Sequence, residues 1–299
     1  MKESKQQSAL LALLVLSAIW GYAWVVMKIG VQYAPPFAFA AIRAAFGAGS
    51  LFLVMLCLRK PLVPQQVGKL ILLGLLQTGG MIGLPMWALV SGGAGKTSVL
   101  CYTMPFWVLL FAWVFLGERL KREQWVYVGL AVAGLVCVLM PLDFTEQSFS
   151  KVVAILAGLC WGLSAIIVKK INQAGSIDLL SLTAWQMLFG SVPLVLAALL
   201  VPAPPIQWTG TLIAALGYVI VPATAIAYIL WLYALTHLSA GTAGLGTLAN
   251  PVVGVLMAWL VLGEVPNGAE AIGMVLIGTA LALNTLQALK LRSTAAGVK

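Results

Sequence analysis

Charged residues are scarce in this chain of 299 residues: they make up 8% of it, whereas 62% of its residues are hydrophobic. Soluble domains carry about 25% charged residues and are about half apolar. The composition therefore excludes a secreted enzyme, a nucleic-acid-binding protein and a disordered polypeptide. It indicates a polytopic membrane protein, whose outer surface faces hydrocarbon instead of water.

Histidine and cysteine are also rare. The sequence has one histidine, His237, and its four cysteines all fall within apolar runs, at Cys57, Cys101, Cys137 and Cys160. This placement argues against a disulfide framework. A single histidine at a membrane edge cannot complete a Ser-His-Asp triad or a His/Cys metal site within the spans. We therefore predict no enzymatic activity, no catalytic residues, no metal and no cofactor.

Ten apolar segments remain when the chain is divided at its charges, its Pro/Gly clusters and its polar runs. Each is close to the ~20 residues that a membrane-spanning helix needs. The sequence thus predicts an all-α polytopic protein with ten transmembrane helices, in contact with the lipid bilayer and not with nucleic acid. The predicted spans are 9–27, 36–58, 67–90, 97–116, 124–142, 152–169, 179–201, 211–235, 241–262 and 268–289.

The basic residues are distributed unevenly over the loops of this arrangement. With the N-terminus inside, thirteen of the 17 Lys and Arg residues fall in inner loops and tails, three fall in outer loops, and Arg43 falls within a span. Cytoplasmic loops carry an excess of Lys and Arg. Both termini are therefore predicted to be cytoplasmic.

The two halves of the chain resemble each other. The segment from Pro105 to Glu118 recurs as Pro251 to Glu264, and the pair Trp20 and Gly21 recurs as Trp161 and Gly162. Each half has five spans, an odd number, so the second half must enter the membrane upside down. We predict two inverted five-helix repeats, at residues 1–143 and 150–290, followed by a cytoplasmic tail at 291–299.

These motifs are similar to those of a known family. The five-plus-five repeat, the Trp-Gly pair in the first helix of each half and the Pro-to-Gly-Glu stretch of each fourth helix resemble the drug/metabolite transporter superfamily, specifically its ten-helix EamA-type exporters. The likeness covers nearly the whole chain. It implies a secondary transporter of a bacterial inner membrane that exports a small molecule, either an amino acid or another metabolite or drug.

Inverted repeats predict a substrate site at the bilayer midplane, between the two halves. Trp20 and Trp161 each precede a lysine at the end of their helix by eight residues, which places both ~12 Å inside a ~30 Å core. They either line a cavity there or pack tightly beside the glycines that follow them. Pro105 and Pro251 lie at similar depth, where each removes a backbone hydrogen bond and breaks or kinks its helix.

Polar residues at the same depth complete the predicted substrate-binding set. Any one of them could instead join two helices by a hydrogen bond. Arg43 is the one ionisable residue clearly inside a span, and its counterpart in the second repeat is Gln186. Arg43 could attract a substrate carboxylate, or it could bind backbone carbonyls and fix its helix. The remaining candidates are Gln77, Thr78, Tyr102, Thr224, Tyr228 and Asn250.

The positions of the acidic residues narrow the range of possible substrates. All eight lie towards one face or the other, so none is near the midplane. A carrier that exchanges organic cations for protons normally needs a buried acid, and a phosphorylated substrate would need several deep Lys or Arg residues. We therefore predict export of a neutral or zwitterionic metabolite, amino acids above all. The alternatives are an efflux carrier for drugs or other metabolites, or a structural or sensory membrane protein, in each case a monomer or a homodimer.

The charge bias makes the first testable prediction. In a variant that lacks the four native cysteines, cysteines introduced at Gln65 and Ser148 should react with an impermeant thiol reagent from opposite sides, Gln65 from the cytoplasm. Labelling of intact cells and of inverted vesicles measures this. Reaction of both positions from one side would contradict the predicted topology and the inverted repeat together.

Overall fold

The computed structural model describes residues 2–117, 122–139, 146–173, 178–238 and 249–296, and these ranges contain helices and connecting loops but no strand. The helices are α1 Lys2–Gly30, α2 Pro36–Cys57, α3 Val67–Gly74, α4 Leu84–Ser91, α5 Ala94–Cys101, α6 Met104–Leu116, α7 Arg122–Leu139, α8 Glu146–Gln173, α9 Leu179–Leu200, α10 Gly210–Ile220, α11 Ala227–His237, α12 Ala249–Leu262 and α13 Gly268–Ala296. The all-helical fold class is thus confirmed for the described residues.

Eight helical segments are long and apolar enough to cross a membrane. Within the described residues the remaining two apolar helices are shorter, at Ala249–Leu262 and Gly268–Asn284. Residues 241–248, with which the ninth predicted span begins, lie outside the described ranges, so the count of ten spans stays a prediction. The eight segments are Gln7–Gly30, Pro36–Cys57, Val67–Ser91, Ala94–Leu116, Arg122–Leu139, Gln147–Ile171, Leu179–Leu200 and Gly210–Ala234.

Two of these segments contain a wider π-helical stretch that the sequence did not predict. Residues Leu75–Gly83 join α3 to α4, and residues Val221–Ile226 join α10 to α11. Pro85 lies in the first turn of α4, directly after the first stretch, and Pro222 lies at the start of the second. Because proline has no N–H, the regular α-helical hydrogen bond is missing at each of these positions.

The fourth predicted span is interrupted instead of widened. Helix α5 ends at Cys101 and α6 begins at Met104, directly before Pro105. In the second half, Pro251 lies in the first turn of α12. The residue that corresponds to Cys101, where α5 ends, is Thr247, and it lies outside the described residues.

Corresponding helices of the two halves pack against each other. Helix α2 lies along α9, and α7 lies along α13. The other main contacts also occur in matching pairs: α1 packs on α12 as α8 packs on α5 and α6, and α1 packs on α10 and α11 as α8 packs on α4 and its adjoining π stretch. These main contacts are therefore retained when the two halves of the chain are exchanged.

Glycines allow the closest of these approaches. A Cβ atom at Gly273 of α13 would lie 2.6 Å from the backbone oxygen of Gly134 in α7, and one at Gly134 would lie 2.8 Å from the oxygen of Gly273. The two backbones are in direct contact here. Gly129 and Gly278, on the same two helices, have open space beside their Cα atoms. Of these two pairs, only Gly134 and Gly273 account for close packing of α7 on α13.

Charged side chains form one cluster at each end of the bundle. Lys96 pairs with Glu270 at 2.8 Å, and Lys151 approaches the same carboxylate oxygen at 4.0 Å. At the opposite end Lys60 pairs with Asp178. Lys151 lies near the start of α8 and Asp178 follows its end, so the two clusters are separated by the length of a membrane-spanning helix.

Asp178 also caps the start of α9. Its Oδ1 accepts hydrogen bonds from the backbone N–H groups of Leu180 and Ser181, both at 3.1 Å. Burial raises the pKa of this carboxyl, but the hydrogen bonds from Lys60 and from the two amides outweigh it, so the net shift is downward. The ionised carboxylate thus satisfies N–H groups that begin the helix.

The glycine contacts predict opposite effects of two matched substitutions. Gly273→Ala should lower the melting temperature of the purified protein by several degrees, because the new methyl group meets a backbone atom that cannot move aside cheaply. Gly278→Ala, five residues away on the same helix, should cause no loss, since nothing lies within 4 Å. Thermal unfolding of the two variants in detergent measures both. An equal loss in both variants, or none in either, would contradict the assigned crossing point.

Candidate functional site

Two adjoining cavities lie inside the bundle, with volumes of about 140 Å³ and about 370 Å³. We call them the arginine cavity and the asparagine cavity, because Arg43 lines only the smaller and Asn250 lines only the larger. Six residues line both, and we call them the central layer. They are Trp20, Gln77, Tyr102, Trp161, Gln186 and Tyr228.

Aromatic rings form most of the central layer. Tyr102 meets Trp161 edge to face with ring centroids 5.4 Å apart, and Tyr228 meets Trp20 in the same way at 6.2 Å. The two tryptophans are repeat counterparts, and each contacts a tyrosine from another span, Tyr102 between α5 and α6 and Tyr228 in α11. Trp231 also contacts Trp20, with ring centroids 6.5 Å apart. Such pairs hold the rings in fixed positions and leave apolar faces that a solute can contact.

The glycines that follow the two tryptophans pack tightly, as one of the two interpretations expected. A Cβ atom at Gly21 would lie 2.5 Å from the Cβ of Val253, and one at Gly162 would lie 2.6 Å from the Cβ of Trp107. The tryptophan side chains themselves line the cavities. The two interpretations thus apply to neighbouring residues, one to the glycines and the other to the rings.

Hydroxyl groups orient the two glutamines of the layer. The Thr78 hydroxyl donates to Oε1 of Gln186 at 2.8 Å, and the Ser164 hydroxyl donates to Oε1 of Gln77. Ser164 is fully buried and was not among the residues predicted from the sequence. With their oxygens engaged, both amides keep N–H donors for other partners.

Polar groups of the second π stretch are satisfied by side chains. The indole N–H of Trp20 donates to the carbonyl oxygen of Ala223 at 3.0 Å, and the Thr224 hydroxyl donates to the carbonyl of Val219 at 2.8 Å. Thr224 is the repeat counterpart of Thr78, yet it bonds to the backbone instead of a glutamine. Trp20 is therefore both a wall of the cavities and a partner for the irregular backbone.

A buried hydrogen bond joins the two halves at the asparagine cavity. Nδ2 of Asn250 donates to the hydroxyl oxygen of Tyr102 at 2.9 Å. Asn250 is 1% exposed, and its side-chain oxygen Oδ1 has no hydrogen-bond partner among the described residues. The Tyr102 hydroxyl, which accepts this bond, retains its own proton for donation.

Arg43 borders the arginine cavity without an acidic partner. Its Nη1 lies 2.8 Å from the sulfur of Met27, and its Nε has no hydrogen-bond partner. No ion pair of the described residues includes it, and no backbone carbonyl accepts from it within them. The interpretation that Arg43 fixes its helix through carbonyls therefore finds no contact to support it.

Nearly all of the residues singled out from the sequence border these cavities. Thr78 and Thr224 line the arginine cavity and Pro105 lines the asparagine cavity, whereas Pro251 is buried and lines neither. Several lining residues carried no signal in the sequence, because in a helix that is apolar all round the period does not mark one face. They are Trp24, Met27, Met81, Met187 and Trp231.

Acidic groups are absent from the described lining of both cavities. Glu264, at the end of α12, receives the backbone N–H groups of Ala94 at 2.9 Å and Gly95 at 3.2 Å, and so caps the start of α5. Glu264 thus links the end of α12 to the start of α5. Glu118, its repeat counterpart, lies outside the described residues. The described part of the chain also holds no group of three or more His, Cys, Asp or Glu residues that could bind a metal.

Comparisons with known proteins agree on a family and a fold. The sequence profile described as the "EamA-like transporter family" matches residues 7–140 and again residues 149–286. The chain is 30% identical to the "Uncharacterized transporter YoaV" of Bacillus subtilis, over 92% of this chain and 96% of that protein. It is 29% identical to the "Probable amino-acid metabolite efflux pump" of Salmonella typhimurium, over 93% and 95%. A solved crystal structure shares the fold with a TM-score of 0.65 at 20% identity, covering 95% of this chain and 99% of the other.

The capping contact of Glu264 predicts a structural effect. Glu264→Gln should lower the yield of monodisperse protein and its melting temperature, because a charged cap stabilises a helix start by ~1 kcal/mol. The pH dependence of solute transport should stay unchanged. Glu123→Gln, at an exposed position on α7, serves as the control. A well-folded Glu264→Gln with a shifted pH profile would instead indicate a titrating role.

Proposed function

The chain belongs to the EamA-like transporter family, and we propose that it exports small neutral or zwitterionic metabolites, above all amino acids with apolar or aromatic side chains. Proteins of this family are transporters, so the chain is a multi-pass membrane transporter and not an enzyme. The substrate, the direction of transport and the site are the proposed part.

The central layer is the observation that carries the proposal. Four aromatic rings and two glutamines border both cavities, and the described lining contains one cation, Arg43, and no carboxylate. Aromatic walls bind apolar and aromatic groups, and a single cation suits a single carboxylate. An organic cation would find no acid here, and a substrate with several phosphates would find too few cations.

The names of two relatives support the amino-acid proposal. The Salmonella typhimurium protein and a relative in Escherichia coli, 28% identical over 93% of this chain, are both named "Probable amino-acid metabolite efflux pump". The alignments cover 95% of each relative's length. A drug or another metabolite remains the second candidate substrate.

We propose alternating access around the central layer. Two inverted five-helix repeats, 1–143 and 150–290, would rock against each other and open the arginine cavity and the asparagine cavity in turn. The double match of the family profile and the exchangeable pattern of helix contacts support this arrangement. With the charge bias, it would place both termini in the cytoplasm and the protein in a bacterial inner membrane, as a monomer or a homodimer.

Exchange of labelled amino acids by purified protein in liposomes tests the function. Liposomes loaded with one labelled amino acid are diluted into each of the common amino acids in turn. We expect the fastest exchange with the apolar and aromatic ones. Empty liposomes control for leakage. If no amino acid exchanges while a non-amino-acid metabolite does, the proposed substrate class is wrong and the transporter class stands.

The central layer predicts a functional effect of three substitutions. Trp20→Ala, Trp161→Ala and Tyr102→Phe should weaken apparent substrate affinity and shift preference between substrates. Loss of aromatic contacts costs ~1 to 2 kcal/mol, which is about five- to thirtyfold for the tryptophans. Competition in the exchange measurement gives the affinities, and size-exclusion chromatography should still show monodisperse protein.

Trp208→Ala provides a matched control, because this tryptophan is 62% exposed and borders neither cavity. It should leave affinity and preference unchanged. If the Trp20 and Trp161 variants unfold early, yet the protein that stays folded transports every substrate with unaltered affinity, the two rings are scaffold and the substrate binds elsewhere.

A further inference from the structure

Two polar side chains each border one of the adjoining cavities, and each has a buried atom without a hydrogen-bond partner among the described residues. They are Arg43, with no anion beside it, and Asn250, with an unpaired Oδ1. We propose that they recognise the two ends of one elongated solute. Its carboxylate binds Arg43, its aromatic ring lies in the central layer, and a hydrogen-bond donor beyond the ring binds Oδ1 of Asn250. This inference rests on the proposed function and narrows its substrate class.

The Arg43 end requires an anion. A guanidinium has five N–H donors and no acceptor, and here the only hydrogen-bonding contact within the described residues is with the sulfur of Met27, a weak acceptor. A partly buried charge without a partner is costly, and a carboxylate is the planar anion that a guanidinium binds through two parallel hydrogen bonds. The carboxylate of the solute therefore supplies the anion that Arg43 lacks within the described residues.

The Asn250 end requires a donor. The amide nitrogen of Asn250 already bonds to Tyr102, so the side chain is held with its oxygen unpaired at the asparagine cavity. A buried acceptor without a donor costs ~1 to 3 kcal/mol, which a phenol O–H or an indole N–H would recover. An unsubstituted phenyl ring would not recover it.

The depths of the two residues fit a solute of this length. Pro36, where α2 begins, and Leu262, where α12 ends, lie at the end of the bundle that holds Lys28 and Glu264. At a rise of 1.5 Å per residue, Arg43 lies about 10 Å from that end and Asn250 about 18 Å, so roughly 8 Å separates them along the bundle. An aromatic amino acid spans a similar length from its carboxylate to a donor on the far side of its ring.

The α-ammonium of an amino acid cannot be the group that reaches Asn250. It is attached to the carbon next to the carboxylate, and so stays near Arg43. Trp20 and Tyr228 line the arginine cavity together with Arg43, and an aromatic face can accept a cation. The distal donor is therefore a separate feature of the side chain, and it distinguishes tyrosine and tryptophan from phenylalanine.

Three small probes without an amino group test the two ends. They are para-hydroxyphenylpropionate, phenylpropionate, which lacks the distal donor, and para-hydroxyphenylpropionamide, which lacks the carboxylate. Binding to the purified full-length protein is measured by isothermal titration calorimetry. We expect the hydroxylated acid to bind roughly tenfold more tightly than phenylpropionate, and at least tenfold more tightly than the amide.

Three variants assign these preferences to residues. Asn250→Leu should abolish the preference for the hydroxylated acid over phenylpropionate, and Arg43→Gln should abolish the preference for the acid over the amide. Trp208→Ala is the control, because this side chain is exposed and borders neither cavity. This variant should keep both preferences.

The outcomes separate this inference from the proposed function. Equal binding of the two acids by the wild-type protein, or no binding of any probe, overturns the inference even if no variant folds. Preferences that survive Asn250→Leu and Arg43→Gln overturn the assignment to these residues. If the probes bind as expected but no amino acid is exchanged in liposomes, the proposed function fails and the two-ended site stands.

Discussion

The structure depends on one constraint: the hydrocarbon of the bilayer offers no hydrogen bonds to the polar groups of the protein. Within hydrocarbon, every polar group of the backbone and the side chains must find a partner inside the protein or in a bound solute. Helices satisfy the backbone, except where a proline removes an N–H, as at Pro85, Pro105 and Pro222. Polar side chains gather beside these interruptions, and the two cavities lie there too. The irregular backbone and the candidate site therefore have one physical origin.

Trp20 shows how this constraint positions an aromatic residue. Tryptophan usually lies at the membrane interface, where its N–H reaches water. Here the N–H donates to the carbonyl of Ala223, which the second π stretch exposes, and the ring can remain deep in the bundle. Thr224, in the same stretch, donates its hydroxyl proton to the carbonyl of Val219 in α10. The π stretch thus fixes part of the cavity wall while it satisfies its own backbone.

The sequence allowed much of this arrangement to be predicted, and the part it did not allow has a common cause. Depth along a helix follows from counting residues, and counting was enough to select Trp161, Tyr102 and Gln77, which the structure brings to the same two cavities. Rotation about the axis does not follow from counting when a helix is apolar all round, so the sequence did not distinguish Met27 and Met81 from lipid-facing residues. The position of a π stretch depends on which backbone hydrogen bond is displaced, and the spacing of the apolar residues does not reveal that position.

The difference between Arg43 and Gln186 makes a symmetric framework into an asymmetric site. In one half of the bundle, Thr78 donates its hydroxyl proton to the oxygen of Gln186. At the corresponding place in the other half, Arg43 has donors only, so Thr224 has no acceptor there and donates to Val219 instead. Among the described residues no hydroxyl accepts from the guanidinium, which lines the arginine cavity. In one half the polar groups hydrogen-bond to each other, whereas in the other half Arg43 needs an anion from the solute. A solute with one anionic end therefore has one preferred orientation.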